Sequence, residues 1–379
     1  MRVAVVGAGI MGLSTAWALA RSGATVTVLD QGSIPNPLGS SCDRHRLIRY
    51  PYGASAGYAR RVEEAYRAWD ILWKDLGQSY YRPTGTLALE GARAGWTTDS
   101  RDTLDLLGVP HSVLSRHEVS RRFPYLRCDD VEWALYLESG GALLAQGILT
   151  ALRQDLDSRG VTLRSQTQVV ELDPASPSLR LGTGERLEAD RIVVAAGPWT
   201  GELVTQPPLP VQPSRQVVVY IEPPPELRDT WRHTPMILDV GSASGFYSVP
   251  DVDGHGPKIG DHTFSLTGAP SQERDPTDAE GQAVFQLCAN RLVDFERYRL
   301  REARSCFYTV HADERFIIQE RDKAWILAGF SGHGFKFGAA MGLATADVIL
   351  GHRDPEGLAL WAAGDEQQPA RIPPPDSTN

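Results

Sequence analysis

Gly7, Gly9 and Gly12 stand as G-x-G-x-x-G directly behind Arg2 to Val6, an apolar, β-branched run that reads as a strand. Leu13 to Arg21 has helical spacing and good helix formers, Gly23 is placed to end that helix, and Thr25 to Leu29 is a second apolar strand closed by Asp30. Each residue type has a physical job in holding a dinucleotide. Gly7 permits a tight turn, Gly9 lets the backbone approach a pyrophosphate, and Gly12 lets the helix pack close to the strand. The helix N-terminus presents unpaired N–H groups and a positive dipole end to the phosphates. Asp30 can accept hydrogen bonds from ribose hydroxyls, and its charge argues against NADP, whose 2′-phosphate it would repel. The complete β-α-β unit makes the reading specific, but it does not separate FAD from NAD.

The elements that must position such a site spread over 379 residues, which at roughly 150 per domain suggests two or three domains or one large two-domain enzyme. Apolar residues at 42% and charged residues at 22% read as an ordinary soluble globular chain. The net charge of −9 argues against a nucleic-acid partner, and no apolar run approaches the roughly 20 residues that span a bilayer. Met1 and Arg2 lead straight into the first strand without a secretory pattern, and four cysteines without a C-x-x-C suggest neither a disulfide framework nor a zinc site. The expected address is a reducing cytoplasm. The run Asp251-Val252-Asp253-Gly254-His255-Gly256 lacks the later Glu of a calcium loop and reads as a turn, so no metal is expected.

Further along, Gly57 to Leu76 reads as an amphipathic helix, Tyr81 to Glu90 as strand broken by Pro83 and Gly85, and Thr97 to Leu107 and Ser115 to Arg122 as short helices. Gly140-Gly141 is expected to open a helix running to about Arg159, and Ala279 to Phe295 to form another. Strands are expected at Val161 to Arg164, Val169 to Leu172, Arg191 to Ala195, Gln216 to Ile221, Phe246 to Val249, Lys258-Ile259, Ala303 to Val310, Phe316 to Gln319 and Trp325 to Ala328. Gln206 to Pro213, with four prolines, reads as a crossover, and a helix is expected from about Gly338 to Leu350. The order implies an α/β (α+β overall) architecture: a Rossmann-type dinucleotide domain assembled from distant segments, with a mostly antiparallel β-sheet substrate domain inserted. The expected division is 1–80, 138–212 and 320–365 for the first, 81–137 and 213–319 for the second, and a disordered tail at 366–379.

Across nearly its whole length the chain resembles the flavin-dependent amine oxidases of the monomeric sarcosine oxidase and N-methyltryptophan oxidase family, within the D-amino acid oxidase superfamily. The resemblance runs, in order, through Val5 to Gly12; Gly39-Ser40 with Arg46-Leu47-Ile48-Arg49 and Tyr52-Gly53; and Ala195-Ala196-Gly197-Pro198-Trp199. It continues through Arg215 to Val218, Lys258 to Thr263 and Cys306 to Thr309, and is strongest at Ala328-Gly329-Phe330-Ser331-Gly332-His333-Gly334-Phe335-Lys336-Phe337. It decides FAD over NAD.

The resemblance implies roles residue by residue. Cys306 would carry FAD through an 8α-cysteinyl thioether. Lys258 would lie over the flavin and promote reaction with O2, since a fixed cation stabilises the superoxide first formed. Arg49 and Lys336 would clamp a substrate carboxylate, the guanidinium as a fork and the ammonium as a point charge. Arg46 would lie near the flavin ring and favour its anionic reduced form. His262 and Tyr308 would stand at active-site positions, where a His can tune the charge of the bound amine, Tyr247 would line the substrate pocket, and His333 would shape the flavin site. Ile10, Met11, Ser40, Ser41, Val169, Ala196, Gly197, Trp199, Gly332, Gly334 and Lys336 complete the expected cofactor contacts. The implied reaction oxidises the C–N bond of a secondary or primary α-amino acid, or a similar carboxylated amine, to an imine while O2 becomes H2O2, and a monomer is implied. The alternatives are a dehydrogenase of the same fold using another acceptor, and a flavin-binding protein that does not turn over.

One segment departs from the family. The sarcosine oxidases carry paired histidines after Gly-Ser, where this chain has Ser41-Cys42-Asp43-Arg44-His45. Cys42 replaces the second histidine and is read as a small buried thiol, while Asp43 is expected to pair internally with Arg44 or Arg46. The flavin side of the pocket should therefore differ, which leaves the substrate unnamed.

Overall fold

Arg2–Val6 lies inside a six-stranded sheet, parallel to Thr25–Leu29 on one side and to Arg191–Val194 on the other. Cover on both faces explains why these strands are unbroken apolar runs. The computed structural model that shows this describes residues 1–92, 95–240, 245–272 and 274–365. The tail at 366–379 lies outside the described residues.

Thr162–Arg164 extends the sheet beyond Thr25–Leu29, and Ala324–Ala328 extends it beyond Arg191–Val194, both in parallel; Ile317–Arg321 closes that edge antiparallel. Strand order therefore reverses between Arg2–Val6 and Arg191–Val194. Loops leaving the C-terminal ends of two such strands part from each other and open a crevice. The helix Ile10–Arg21 is buried nearly all round because Gly338–Ile349 packs across it. Small residues allow the crossing: a Cβ on Gly342 would stand 2.5 Å from the Ser14 backbone, and one on Gly338 2.4 Å from Ile10 Cγ1.

The second sheet has eight strands, in the order Arg299–His311, Val211–Glu222, Lys258–Asp261, Phe246–Val249, Met236–Asp239, Thr86–Gly91, Val131–Leu137 and Ser112–Ser115. Neighbours run antiparallel except Met236–Asp239 beside Thr86–Gly91. One face covers a core that includes Leu87, Val219, Ile221, Trp231, Ile237, Phe246 and Ile259. The other face carries the polar residues described below. No helix among the described residues is long and apolar enough to cross a membrane.

The structure corrects several sequence expectations. The helix expected over Ala279 to Phe295 stops at Gln286, because the following residues turn to meet the 123–131 loop. There Leu292 bridges Leu126, Arg127 N–H donates to Arg291 O (2.7 Å), and the Arg291 guanidinium reaches Asp130 and Asp239. Gly140-Gly141 opens a strand, Gly141–Leu143, ahead of the helix Ala145–Ser158; a Cβ on Gly141 would stand 2.2 Å from Arg82 O. The strand expected from Gln216 begins at Val211 and runs through Pro213, at an end where only Arg299–His311 is paired, so no ladder bond is lost.

Candidate active site

The crevice at the strand-order reversal is a cleft lined on one side by Gly7, Gly9, Ile10 and Met11 and on the other by Ala196, Gly197 and Trp199. Gly7 sits at φ +101°, and a Cβ there would stand 2.3 Å from Ala195 O; a Cβ on Gly12 would meet Gly7 O at 1.9 Å. These two glycines serve close packing beneath the cleft. Gly9 and Gly197 open onto it: added Cβ atoms would meet only Ser41 within 4 Å at Gly9, and only Ser40 Oγ, at 3.9 Å, at Gly197. Asp30 and Val169 line the far end, and Ser40, Ser41, Arg46, Tyr308, Gly332 and Gly334 the near end.

Asp30 does more than the sequence suggests. Its carboxylate accepts from Ala8 N–H, Gly32 N–H and the Asn36 amide, each at 2.8 Å, and so fastens the glycine turn. A carboxylate has about four lone-pair sites, which leaves one for a ribose hydroxyl. Ile10 N–H donates to Ser41 Oγ (2.9 Å), tying the helix start to the segment that carries the cations.

The polar face of the eight-stranded sheet follows from period-2 alternation and register. Glu302, Arg304, Cys306 and Tyr308 form one row; opposite them stand Tyr220, Val218, Gln216 and Ser214. Tyr220 in turn faces Lys258, and Gly260 faces Tyr247. Residues far apart in sequence thus share one surface, and the segment from Ser40 to Arg49 lies over it. Glycines seat two of the rings: a Cβ on Gly260 would stand 2.3 Å from the Tyr247 ring, and one on Gly332 2.5 Å from that of Tyr308. The two tyrosines are near enough to act on each other electrostatically. Cys306 does not itself line the cleft, but it shares its row with Tyr308, and Arg46 and Lys258 act on it. Burial pushes its thiol up, and Arg46 opposes the rise.

Lys258 is 2% exposed, and its ammonium donates to Asp43 Oδ2 and, at 3.3 Å, to His45 O. Arg46 donates to the same Asp43 oxygen and to Ser40 O (2.8 Å). The expected Asp43–Arg46 pair is present, but Arg44 offers Asp43 only its backbone N–H and turns its guanidinium to Glu302 (2.7 Å). Burial raises the Asp43 carboxyl, yet Lys258 and then Arg46 hold it well below the usual carboxylate range. Cys42 is half-buried, and burial raises its thiol.

A second cation group sits beside the first. Lys336, 4% exposed, donates to Tyr52 Oη (2.8 Å). The Arg49 guanidinium carbon lies 5.0 Å from the Tyr52 ring centre and 5.3 Å from that of Trp96, and its Nη1 has no hydrogen-bond partner. Among the described residues neither cation forms an ion pair with an acid. Burial, and then Arg49, hold the Lys336 ammonium well below the usual lysine range. His262 stands within electrostatic reach of both cations at the end of the Lys258 strand. His333 lies outside the cleft lining, between Tyr52 Oη (3.3 Å) and Glu314 O (3.0 Å), and burial pushes its imidazole down to about 3. At neutral pH its ring is uncharged and bridges the two oxygens.

Sequence reasoning missed Tyr52, Trp96, Tyr220, His45 and the Asp43–Lys258 pair. The last joins residues 215 positions apart, so no spacing could reveal it. One signal was available: only four of the 38 basic residues are lysine, at 74, 258, 323 and 336. Two of the four, Lys258 and Lys336, are buried at the site, while Lys74 and Lys323 are exposed.

A Rossmann-type sheet with a cleft at its reversal point, facing an antiparallel sheet that carries the polar groups, is the architecture of a two-domain dinucleotide-dependent oxidoreductase. The family described as FAD dependent oxidoreductase matches residues 2–348. A peroxisomal sarcosine oxidase of Mus musculus is 32% identical over 353 residues, covering 89% of each chain. A monomeric sarcosine oxidase of Bacillus sp. (strain NS-129) is 27% identical over 374 residues, covering 95% of each. Among solved structures, an L-proline dehydrogenase from P. horikoshii shares the fold with a TM-score of 0.81 at 20% identity, covering 97% of each chain. The chain belongs to the FAD-dependent oxidoreductase family, among its amine and amino acid oxidases.

Proposed function

We propose that the protein oxidises the C–N bond of a carboxylated amine, a secondary or primary α-amino acid or a close analogue, with O2 as electron acceptor. One observation carries this reading: the buried Lys336 ammonium and the half-buried Arg49 guanidinium, whose Nη1 is buried without a partner, share the Tyr52 ring, and neither pairs with an acid among the described residues. Lys336 comes next in sequence to Gly334 and Phe335 of the cleft lining. Buried charges without a counter-ion are costly, so this arrangement is built to receive an anion. A carboxylate matches the guanidinium fork.

In this reading the parallel sheet carries the cofactor and the antiparallel sheet the substrate. Gly9, Ile10 and Met11 hold the pyrophosphate, Asp30 a ribose hydroxyl, and Arg46 the ring end. FAD, when bound, accepts a hydride equivalent from the carbon next to nitrogen and returns the electrons to O2. Arg49 and Lys336 anchor the carboxylate and so fix the position of that carbon. Tyr247 and Tyr308 wall the pocket and exclude water. The substrate loses two electrons and two protons to become an imine, which water hydrolyses, and O2 gains both to become H2O2. Lys258 supplies the cation for the oxygen step.

The carboxylate clamp has a pH signature. A bound carboxylate raises the depressed Lys336 ammonium, so binding takes up a proton between the free and bound values. Affinity for a carboxylate inhibitor is expected to be highest below the free value and to fall by up to about tenfold per pH unit above it. Calorimetry in buffers of different ionisation enthalpy would read this as uptake of up to about one proton. A pH-independent affinity without uptake would contradict the clamp.

Cys306 is proposed as the point of flavin attachment, which its place in the Tyr308 row beside Arg46 supports. On acid precipitation the yellow colour is expected in the pellet, and in the supernatant for Cys306→Ser. A yellow supernatant from the unaltered protein would leave Cys306 a core thiol.

A further inference from the structure

We propose that Asp43 is the positioning residue of Lys258: a buried counter-anion that fixes the ammonium and lets it and Arg46 stand charged side by side against the flavin cleft. This rests on the reading of Lys258 as the oxygen-facing cation.

The geometry is that of a built site. Asp43 is 5% exposed, and both of its oxygens are fully used. Oδ2 accepts from Lys258 and Arg46; Oδ1 accepts from Tyr220 Oη (2.9 Å) and Arg44 N–H (2.8 Å). Each element on the polar face around Lys258 contributes a group, and none of the others supplies it with a contacting anion. The helix Asp278–Gln286 also packs against the Lys258 strand, but from the core face with Val284 and Phe285, and its Glu280 pairs with Arg215. The segment from Asp43 brings Arg44, His45 and Arg46. The strand Val211–Glu222 brings Tyr220, and Phe246–Val249 brings Tyr247. The strand Arg299–His311 brings Glu302, Arg304, Cys306 and Tyr308. Glu302 is occupied by Arg44 and by Arg304 (2.6 Å). Arg304 stands 3.8 Å from Asp43 Oδ1 and adds a third positive charge to its surroundings. His45 is fully buried, and both its ring nitrogens lack a hydrogen-bond partner. Burial and the cation of Lys258 push its imidazole down to about 3, so it is neutral and offers the ammonium only its backbone carbonyl.

Two cations drawn to one oxygen in a dry site would repel each other if the carboxylate were absent. The arginine cannot yield its proton, so the lysine would. A neutral amine cannot stabilise an oxygen anion. The pair therefore sets the pH range over which the oxygen step works.

The test uses the holoenzyme labelled with 13Cε,15Nζ-lysine. Four lysines give four side-chain signals, and Lys258→Met assigns the one of interest. Asp43→Asn is expected to lower the Lys258 titration midpoint by roughly 1–3 pH units relative to the unaltered enzyme. Reoxidation of photoreduced flavin by O2 should then slow with rising pH at that same midpoint, and Asp43→Glu should restore both. A Lys258 midpoint that moves by less than about half a unit in Asp43→Asn overturns the proposal, since an adjacent counter-charge is worth more. If that variant does not fold, the unaltered holoenzyme decides. A salt-bridged buried ammonium exchanges slowly and gives a 1H–15N cross peak near neutral pH, whereas a missing Lys258 peak overturns the pairing. Should Lys258→Met leave the oxygen reaction unchanged while Asp43→Asn shifts the midpoint, the reading of Lys258 fails and the pairing stands.

Discussion

Arg49→Ala is expected to lower kcat/KM for a carboxylated amine by about 10²- to 10³-fold, the range for truncating one partner of a buried, hydrogen-bonded charge pair. The loss should fall on the carboxylate specifically: the decarboxylated analogue, already poor, should change by less than about tenfold. Arg49→Lys should recover part of the loss, because it restores the charge but not the two-toothed fork. The substrate-free protein should not suffer. Arg49 is a half-buried guanidinium with its buried Nη1 unpartnered, beside the rings of Tyr52 and Trp96, so removing it relieves a partly uncompensated charge at the cost of some packing. An unchanged or raised Tm beside a large kinetic loss marks a residue kept for its ligand. A drop in Tm of more than a few degrees with unchanged kinetics would make Arg49 a structural cation.

Lys258→Met separates the two halves of the reaction. The reaction of reduced flavin with O2 is expected to slow by about 10²- to 10³-fold, comparable to removing one preorganised donor from an oxyanion site. Anaerobic reduction of the flavin by substrate should change by less than about tenfold, because the carboxylate anchors are untouched. Double-mixing stopped-flow reads both rates in one protein. Equal losses in the two halves would mean that Lys258 positions substrate instead.

The dinucleotide half of the fold was legible because its signals are local. Gly7, Gly9, Gly12 and Asp30 lie within one β-α-β unit, and the physical needs of the turn show in residue type alone. The return of the chain at Gly338–Ile349 was legible as a helix, and the structure supplies the reason for its glycines, which is close crossing over Ile10 and Ser14. The substrate half was less legible because it is assembled by register between distant strands. Tyr220, Lys258, Tyr247 and Cys306 share a face only once four strands are aligned. Short strands such as Ser112–Ser115 and Met236–Asp239 carry too few residues for a periodic signal. The helix expected over Ala279 to Phe295 had the right pattern but yielded after Gln286 to the Arg291 ion pairs, a tertiary demand that propensity does not see. Asp43 was seen as a charge needing an internal partner, and Arg46 was among the partners considered. Its bond to Lys258 was out of reach without the sheet.

The most direct measurement mixes the purified yellow protein, without oxygen, with a panel of carboxylated secondary and primary amines, each beside its decarboxylated counterpart, and follows the visible absorption of the flavin. At least one carboxylated amine is expected to bleach the flavin while its decarboxylated partner does not, and air is then expected to restore the colour with one H2O2 formed per flavin. Bleaching that ignores the carboxylate, or a flavin that no member of the panel reduces, would contradict the proposed function.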